Sequence, residues 1–293
     1  MRADLHTHSD RSDGTDSPAD LVARAGRLGL DVLALTDHDT TTGWEEALAA
    51  ARRLDVGLVP GLEISCRLRG CGVHLLAYLV DPGYAPLRTE LDLVLDGRNA
   101  RLPSTIDRLR LLGIDITADD VHRVAGPAEA LGRPHVADAL VALGVCADRE
   151  DAFDRFLSPG RPGYVDRYAA DLGEMLSLVT AAGGVSVVAH PWARMSRRVL
   201  TAGTIGDLAA TGLAGIEVDH PDHDIDTRRR LRAIAAGLDL VVTGSSDHHG
   251  DGKGRAFELG SNTTAPEQLD RLISLAHAAS SVSGRDTPAA VLP

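Results

Sequence analysis

Asp4-Leu5-His6-Thr7-His8-Ser9, continued through Ser12-Asp13-Gly14, is the stretch on which the reading of this chain turns. Side chains two apart on a strand share a face, so a strand here carries His6 and His8 to one side near its C-terminal end. Two imidazoles so placed can hold one metal ion. Asp13 follows after a polar turn closed by Gly14, which lets a carboxylate fold back toward the same point. A pair of surface histidines is the bland alternative. It loses ground because three further polar clusters repeat the arrangement at other strand ends.

Working outward, Ser17-Pro18-Ala19-Asp20 supplies the N-cap, N1 proline and N3 acid of a helix start, and Gly29 ends that helix after Leu28. The run Asp31 to Asp39 is apolar through Leu35 and then turns into Thr36-Asp37-His38-Asp39, as a buried parallel strand ending in ligands would. A helix from about Thr42 to Leu54 leads to the strand Val56 to Ile64, interrupted near its end by Glu63. Gly70 and Gly72 suggest a hairpin into Val73 to Val80, which brings His74 beside Glu63.

Between residues 85 and 167 the βα rhythm breaks. Leu91, Leu95, Leu102, Ile106 and Leu109 recur at helical spacing, as do Val136, Leu140 and Leu143, so this reads as an inserted α-helical subdomain. It contains Leu131-Gly132-Arg133-Pro134-His135, where Arg133 could fork onto a phosphate at a helix N-terminus. A solvated arginine and a capping histidine fit the spacing equally well. The alternation then resumes, with a helix Leu172 to Ala182 before the strand Val185 to Ala189 and His190-Pro191. The strand Gly215 to Asp219 ends at His220, and Leu240 to Gly244 precedes Ser245-Ser246-Asp247-His248-His249-Gly250. A last helix, Pro266 to Ala279, leads into a small, polar tail expected to be disordered over 281–293.

Composition bounds the possibilities. A chain of 293 residues can bury a large core as one barrel carrying an insertion, and 44% hydrophobic residues with 3% aromatics is ordinary for an α/β protein. The net charge of −12 argues against a surface that coats long nucleic acid. No long apolar segment or signal sequence is evident, so a cytoplasmic protein without a membrane partner is expected. Cys66, Cys71 and Cys146 have no ligand spacing and read as free thiols.

Seven apolar strands with polar residues at their C-terminal ends suggest a parallel β/α barrel, whose active sites are built on that face. The candidate ligands His6, His8, Asp13, His38, Glu63, His74, His190, Asp247 and His249 are too many for one tetrahedral ion and enough for two or three. Mixed imidazole and carboxylate donors suit Mn, Fe or Zn better than Mg or Ca.

DLHTHSDRSDG, LTDHD, GLEIS, VHLLAYL, GRPHVADALV, VVAHP and SSDHHG together resemble the motifs of the PHP (polymerase and histidinol phosphatase) superfamily of metal-dependent phosphoesterases, over about residues 2 to 260. Their order, with GRPH in the helical insertion, is most similar to the subgroup of nucleoside 3′,5′-bisphosphate phosphatases and 5′-to-3′ exoribonucleases. The resemblance implies a distorted (β/α)7 barrel over 1–84 and 168–280, the insertion over 85–167, and a trinuclear metal centre, with manganese first and Fe or Zn as alternatives. It implies one metal on His6, His8, Glu63 and Asp247, a second on Glu63, His74 and His190, and a third on Asp13, His38 and His249. His190 and Asp247 take the catalytic roles. Arg133, His135, Arg194 and His223 are the substrate-binding candidates, although Trp192-Ala193-Arg194 departs from the family's short Gly-Arg. His248 is the bystander of the doubled histidine, and His220 and His223 are undecided between substrate contact and surface.

Three divalent ions outweigh three ligand carboxylates, so the pocket stays cationic despite the acidic surface. Metal-activated hydroxide attacking phosphorus in line is the expected chemistry, on a small nucleotide or short 5′-phosphorylated RNA. The alternatives are a histidinol-phosphate-type phosphatase, a non-catalytic metal-binding regulatory module, and an amidohydrolase acting on C–N bonds. The filled ligand positions speak against the second. The GRPH insertion and the lack of a metal-bridging lysine speak against the third.

Overall fold

A computed structural model describes every residue except Arg194, Asp251 and Gly252. Two βα steps and a third strand open the chain: β1 (Ala3–Thr7), α1 (Pro18–Arg27), β2 (Val32–Leu35), α2 (Trp44–Leu54) and β3 (Gly57–Leu68). The Ser17 hydroxyl accepts from the Asp20 amide at 3.1 Å, so α1 starts where its capping residues place it. After β4 (Cys71–Tyr78) come the helices α3 (Ala85–Leu111), α4 (Ala118–Ala125), α5 (Arg133–Ala142) and α6 (Arg149–Ala152), the last continued by a π-helical turn at Phe153–Leu157. The barrel resumes with β5 (Ala170–Asp171), α7 (Leu172–Ala181), β6 (Val185–Val188), α8 (Ala202–Ala210), β7 (Gly215–Asp219), α9 (Ile225–Gly237), β8 (Val241–Gly244) and α10 (Pro266–Ser283).

The strands lie in the order β1-β2-β3-β4-β6-β7-β8, a nearly closed seven-stranded barrel with the short β5 paired to the end of β3. Its seam is bridged where the His8 amide donates to the His248 carbonyl at 2.9 Å. The sheet is not all-parallel, and the hairpin read at Gly70 and Gly72 is where it departs. β4 runs antiparallel to both β3 and β6, because Arg69 and Gly70, both at positive φ, turn β3 straight back. That reversal matters for the site. A ligand on a parallel strand must sit near its C-terminus, whereas on β4 it must sit near its start, and His74 does so opposite Ser65.

Strand alternation divides the core. Leu33 and Leu35 of β2 pack with Leu21, Val22 and Ala47 of the outer helices, while Val32 and Ala34 pack with Val59, Leu76, Val187 and the α10 residues Leu269 and Leu272. The inserted helices carry their own apolar cluster around Leu109, Val121, Val136, Leu140 and Leu157. Among the described residues no helix is long and apolar enough to cross a membrane. The three cysteines are free.

The tail departs from the expectation of disorder. Leu58 and Val291 exchange both backbone hydrogen bonds, at 2.7 and 2.9 Å, and Val291 packs on the core. A short apolar segment gains order here because β3 offers it unpaired backbone groups. Deleting residues 288–293 should therefore cost about 1 to 3 kcal/mol, the worth of two backbone hydrogen bonds. A lower denaturant midpoint checks this; an unchanged one would show that the tail contributes nothing.

Candidate metal centre

All nine candidate ligands come together at one end of the barrel. Their donor atoms form four overlapping groups: His8, Asp13, His38 and His249; His6, Glu63 and His190; His6, His8 and Asp247; and His38, Glu63 and His74, each within 4.8 Å. His6 and His8 leave β1 on one side, with their Nε2 atoms 3.1 Å apart.

Asp13 is returned to this point by its loop. The Asp37 carboxylate accepts from the Ser9 amide at 2.8 Å and from the Ser9 and Ser12 hydroxyls at 2.6 Å each. Gly14 lets the turn close, since a Cβ there would lie 2.4 Å from the His8 carbonyl oxygen. His249 then faces Asp13, Nε2 to Oδ1, at 3.3 Å, while His38 Nε2 is 3.7 Å from Asp13 Oδ2.

Glu63 is the hub. Its Oε1 meets His74 Nδ1 at 2.7 Å and His190 Nε2 at 3.1 Å, and its Oε2 meets His38 Nδ1 at 3.0 Å and the Nε2 atoms of His6 and His8 at 3.3 Å. Five imidazole nitrogens thus converge on two buried oxygens, more than hydrogen bonding can satisfy. His38 Nδ1 and Asp13 Oδ1 are buried with no aligned hydrogen-bond partner among the described residues. Convergent lone pairs of this kind fit divalent cations.

Partners behind the cluster fix the tautomers. Glu217 Oε1 lies 3.1 Å from His6 Nδ1, and its Oε2 accepts from the His190 amide at 2.8 Å, which turns His6 Nε2 toward the cluster. His249 Nδ1 donates to the Asp247 carbonyl at 2.8 Å and so leaves Nε2 as the ligating atom. Asp247 divides its carboxylate: Oδ1 is 3.4 Å from His8 Nε2 and 3.5 Å from His6 Nε2, whereas Oδ2 meets Lys253 Nζ at 2.6 Å and His220 Nε2 at 3.3 Å. Asp247 and His190 both sit at positive φ, a strained backbone that aims the two side chains inward.

Charge follows the geometry. Burial pushes the Glu63 carboxyl up, but the imidazoles of His74, His38, His6 and His190 around it overcome this and hold the group well below the usual range. Asp247 behaves alike, with the charges of Lys253 and His6 outweighing burial. Burial, with the charges of His8 and Lys253, pushes His249 down to about 4, so it is a neutral donor near pH 7. His38 and His74 are also held below their usual value, chiefly by burial.

The substrate candidates lie around this cluster with unequal claims. His135 is buried and caps α5 by accepting the Gly132 amide at Nδ1, 3.0 Å away. Arg133 donates to the Leu157 carbonyl at 3.1 Å and lies 5.5 Å over the rings of Phe153 and Tyr164. His223 sits behind His220: its Nδ1 donates to the Val218 carbonyl at 2.9 Å, and its buried Nε2 has no partner among the described residues. Arg194 lies outside the described residues. His248 is turned away, toward the Phe257 carbonyl and Asp16. The sequence reading missed Asp37, Glu217 and Lys253. Glu217 carried a signal, an acid inside an apolar strand two residues before its end.

Comparison with known proteins agrees with the architecture. A model of the PHP domain matches residues 4–99. A 3′,5′-nucleoside bisphosphate phosphatase of Chromobacterium violaceum is 35% identical over 86% of this chain and 88% of its own length. A 5′-3′ exoribonuclease of Haemophilus influenzae is 33% identical over 84% of this chain and 89% of its own. A solved Bifidobacterium adolescentis structure, named as a metal-dependent phosphoesterase, superposes with a TM-score of 0.89 at 37% identity, covering 93% of this chain and 96% of that one. On fold, ligand arrangement and these likenesses, the chain belongs to the PHP family.

Proposed function

We propose that the protein is a metal-dependent phosphoesterase that hydrolyses phosphate esters of nucleoside 3′,5′-bisphosphates or of short 5′-phosphorylated RNA in the cytoplasm. The convergence of five imidazoles on Glu63 carries this reading, and the relatives' activities support the substrate class. Three ions, manganese in the first place, would be held by His6, His8, Glu63 and Asp247; by Glu63, His74 and His190; and by Asp13, His38 and His249. When bound, such ions activate water and neutralise phosphate charge.

The chain's own residues do the rest. Glu63, with an oxygen toward each half of the cluster, ties the donor groups together. Lys253 and His220 keep Asp247 Oδ2 occupied, so that its carboxylate stays ionised and its Oδ1 faces His6 and His8. Glu217 locks His6 and His190 at once, so the two sides of the site cannot drift apart. His135, buried near Asp13 at the start of α5, would contact the phosphate from the insertion side.

Metal analysis with a phosphoester screen tests the reading. Glu63→Gln should lose more metal per chain and more activity than His249→Ala, which touches one donor group. Full occupancy and turnover in Glu63→Gln would contradict the shared-carboxylate assignment. A nucleoside 3′,5′-bisphosphate should be cleaved with higher kcat/KM than p-nitrophenyl phosphate or histidinol phosphate, and a clear preference for histidinol phosphate would replace the substrate assignment.

The pH dependence of metal binding is a second check. Burial lowers the affinity of His8 for its proton, but hydrogen bonding to Asp247 and Glu63 outweighs it and lifts the group to about 9. Below that pH the metal-free protein carries the proton, and an incoming cation must displace it. Metal affinity should therefore rise with pH up to about 9, with proton release visible by calorimetry in buffers of different ionisation enthalpy. A flat dependence would contradict the coupling.

A further inference from the structure

The loop from Ser246 to Gly260 is held at both ends by one buried carboxylate. Asp4, on β1, accepts the Ser246 amide at Oδ1, 3.0 Å away, and the Gly260 amide at Oδ2, 2.8 Å away. Within the loop, His248 Nδ1 donates to the Phe257 carbonyl at 3.0 Å, and the Phe257 amide closes a 3-10 turn onto the Gly254 carbonyl at 2.9 Å. These ties hold Lys253, the single lysine in a chain whose lysines and arginines together number 30, beside the metal centre. Its Nζ meets Asp247 Oδ2 at 2.6 Å and lies 4.6 Å from the centre of the Phe257 ring, with 22% of the side chain still exposed.

A counter-ion for Asp247 explains only part of this arrangement. Asp247 Oδ2 already faces His220 Nε2 at 3.3 Å, and the His220 ring stands edge-on to Phe257, 6.0 Å away. Asp247 Oδ1 faces His6 and His8, the side on which a cation would be held. An ammonium one carboxylate away from such a cation is repelled by it, and the pair becomes favourable when an anion joins them. Lysine suits that task better than the arginine used elsewhere in the chain. Its ammonium is a compact charge with three donor hydrogens, of which Asp247 takes one and the Phe257 ring face attracts the charge as a whole, so donors remain for an incoming oxygen.

We propose that Lys253 is a further catalytic residue, its ammonium donating a hydrogen bond to an oxygen of the phosphoryl group that is hydrolysed. The assignment rests on the phosphoesterase reading above. No proton leaves the lysine; a fixed positive charge opposes the negative charge that grows on the transferring group. His248, the bystander of the doubled histidine, then has a task as the anchor of the turn that carries Lys253.

Two measurements on the full-length protein test this. Because the chain has one lysine, protein labelled with carbon-13 at the lysine ε position gives one side-chain resonance, a readout independent of turnover. Zinc-loaded protein is titrated with inorganic phosphate, and the resonance should shift saturably over the concentrations at which phosphate inhibits hydrolysis of p-nitrophenyl phosphate, whose one phosphate is the reacting one. A resonance unmoved over that range overturns the contact. In the second measurement, Lys253→Met should lower kcat on a nucleoside 3′,5′-bisphosphate by about a hundredfold, the cost of losing one donor to a transition-state oxygen, with metal per chain, circular dichroism and Tm near wild type. Lys253→Arg, which keeps the charge, should retain more kcat than Lys253→Met. Loss of metal with unchanged kcat per metal-loaded chain would make Lys253 a partner of Asp247 alone and overturn the proposal; the resonance shift decides the matter if the methionine variant folds poorly. Hydrolysis unaffected by Lys253→Met overturns the lysine contact and leaves the phosphoesterase reading standing, whereas wild-type protein that loads metal and hydrolyses no phosphoester overturns that reading and the catalytic role with it.

Discussion

One buried carboxylate surrounded by imidazoles is the constraint that organises this molecule. Glu63 is 1% exposed, and nitrogens of five histidines from three strand ends and one hairpin approach its two oxygens within 3.3 Å. An isolated carboxylate so placed would be costly to bury, and five imidazoles cannot all donate protons to it. The arrangement becomes reasonable only as half of an interaction with cations, so the centre of the barrel is built to bind before it is built to be stable.

The fold supplies the convergence through a departure from regularity. Parallel strands deliver His6, His8, His38, His190 and Asp247 from their C-terminal ends, and the reversed β4 delivers His74 from its beginning. Each delivery is then fixed by a group further out: Asp37 holds the loop of Asp13, Glu217 bridges His6 and the His190 amide, and Lys253 with His220 holds Asp247. The inserted helices are pinned to this end through Arg98 on Asp39 and Ser65, and through Arg149, whose guanidinium pairs with Asp138 and reaches the Asp13 carbonyl at 3.4 Å. The roof over the site is therefore tied to the loops that carry the ligands.

Much of this was legible in the sequence because each ligand closes an apolar run. HTH, TDHD, AHP and SDHH announce both a strand end and a metal donor, and the six residues named from them meet Asp13, Glu63 and His74. What was not legible depends on partners chosen in three dimensions. Asp37 and Glu217 are acids whose roles follow from the groups they face, and the tail found β3 although its own composition argued for disorder. Arg98 and Arg101 did leave a trace: they occupy the α3 stripe otherwise filled by Val94, Leu102, Ile106 and Leu109, where a charged side chain needs a buried partner. Arg133, which the sequence offered as a phosphate fork, lies over the rings of Phe153 and Tyr164.

The claim on which the rest depends is that the buried donors hold cations together rather than one at a time. Anomalous diffraction from crystals grown with manganese, recorded on both sides of the manganese absorption edge, tests it most directly. The account predicts three anomalous peaks among the nine donors, with Glu63 contacting more than one. A single peak, or peaks away from Glu63, would contradict it.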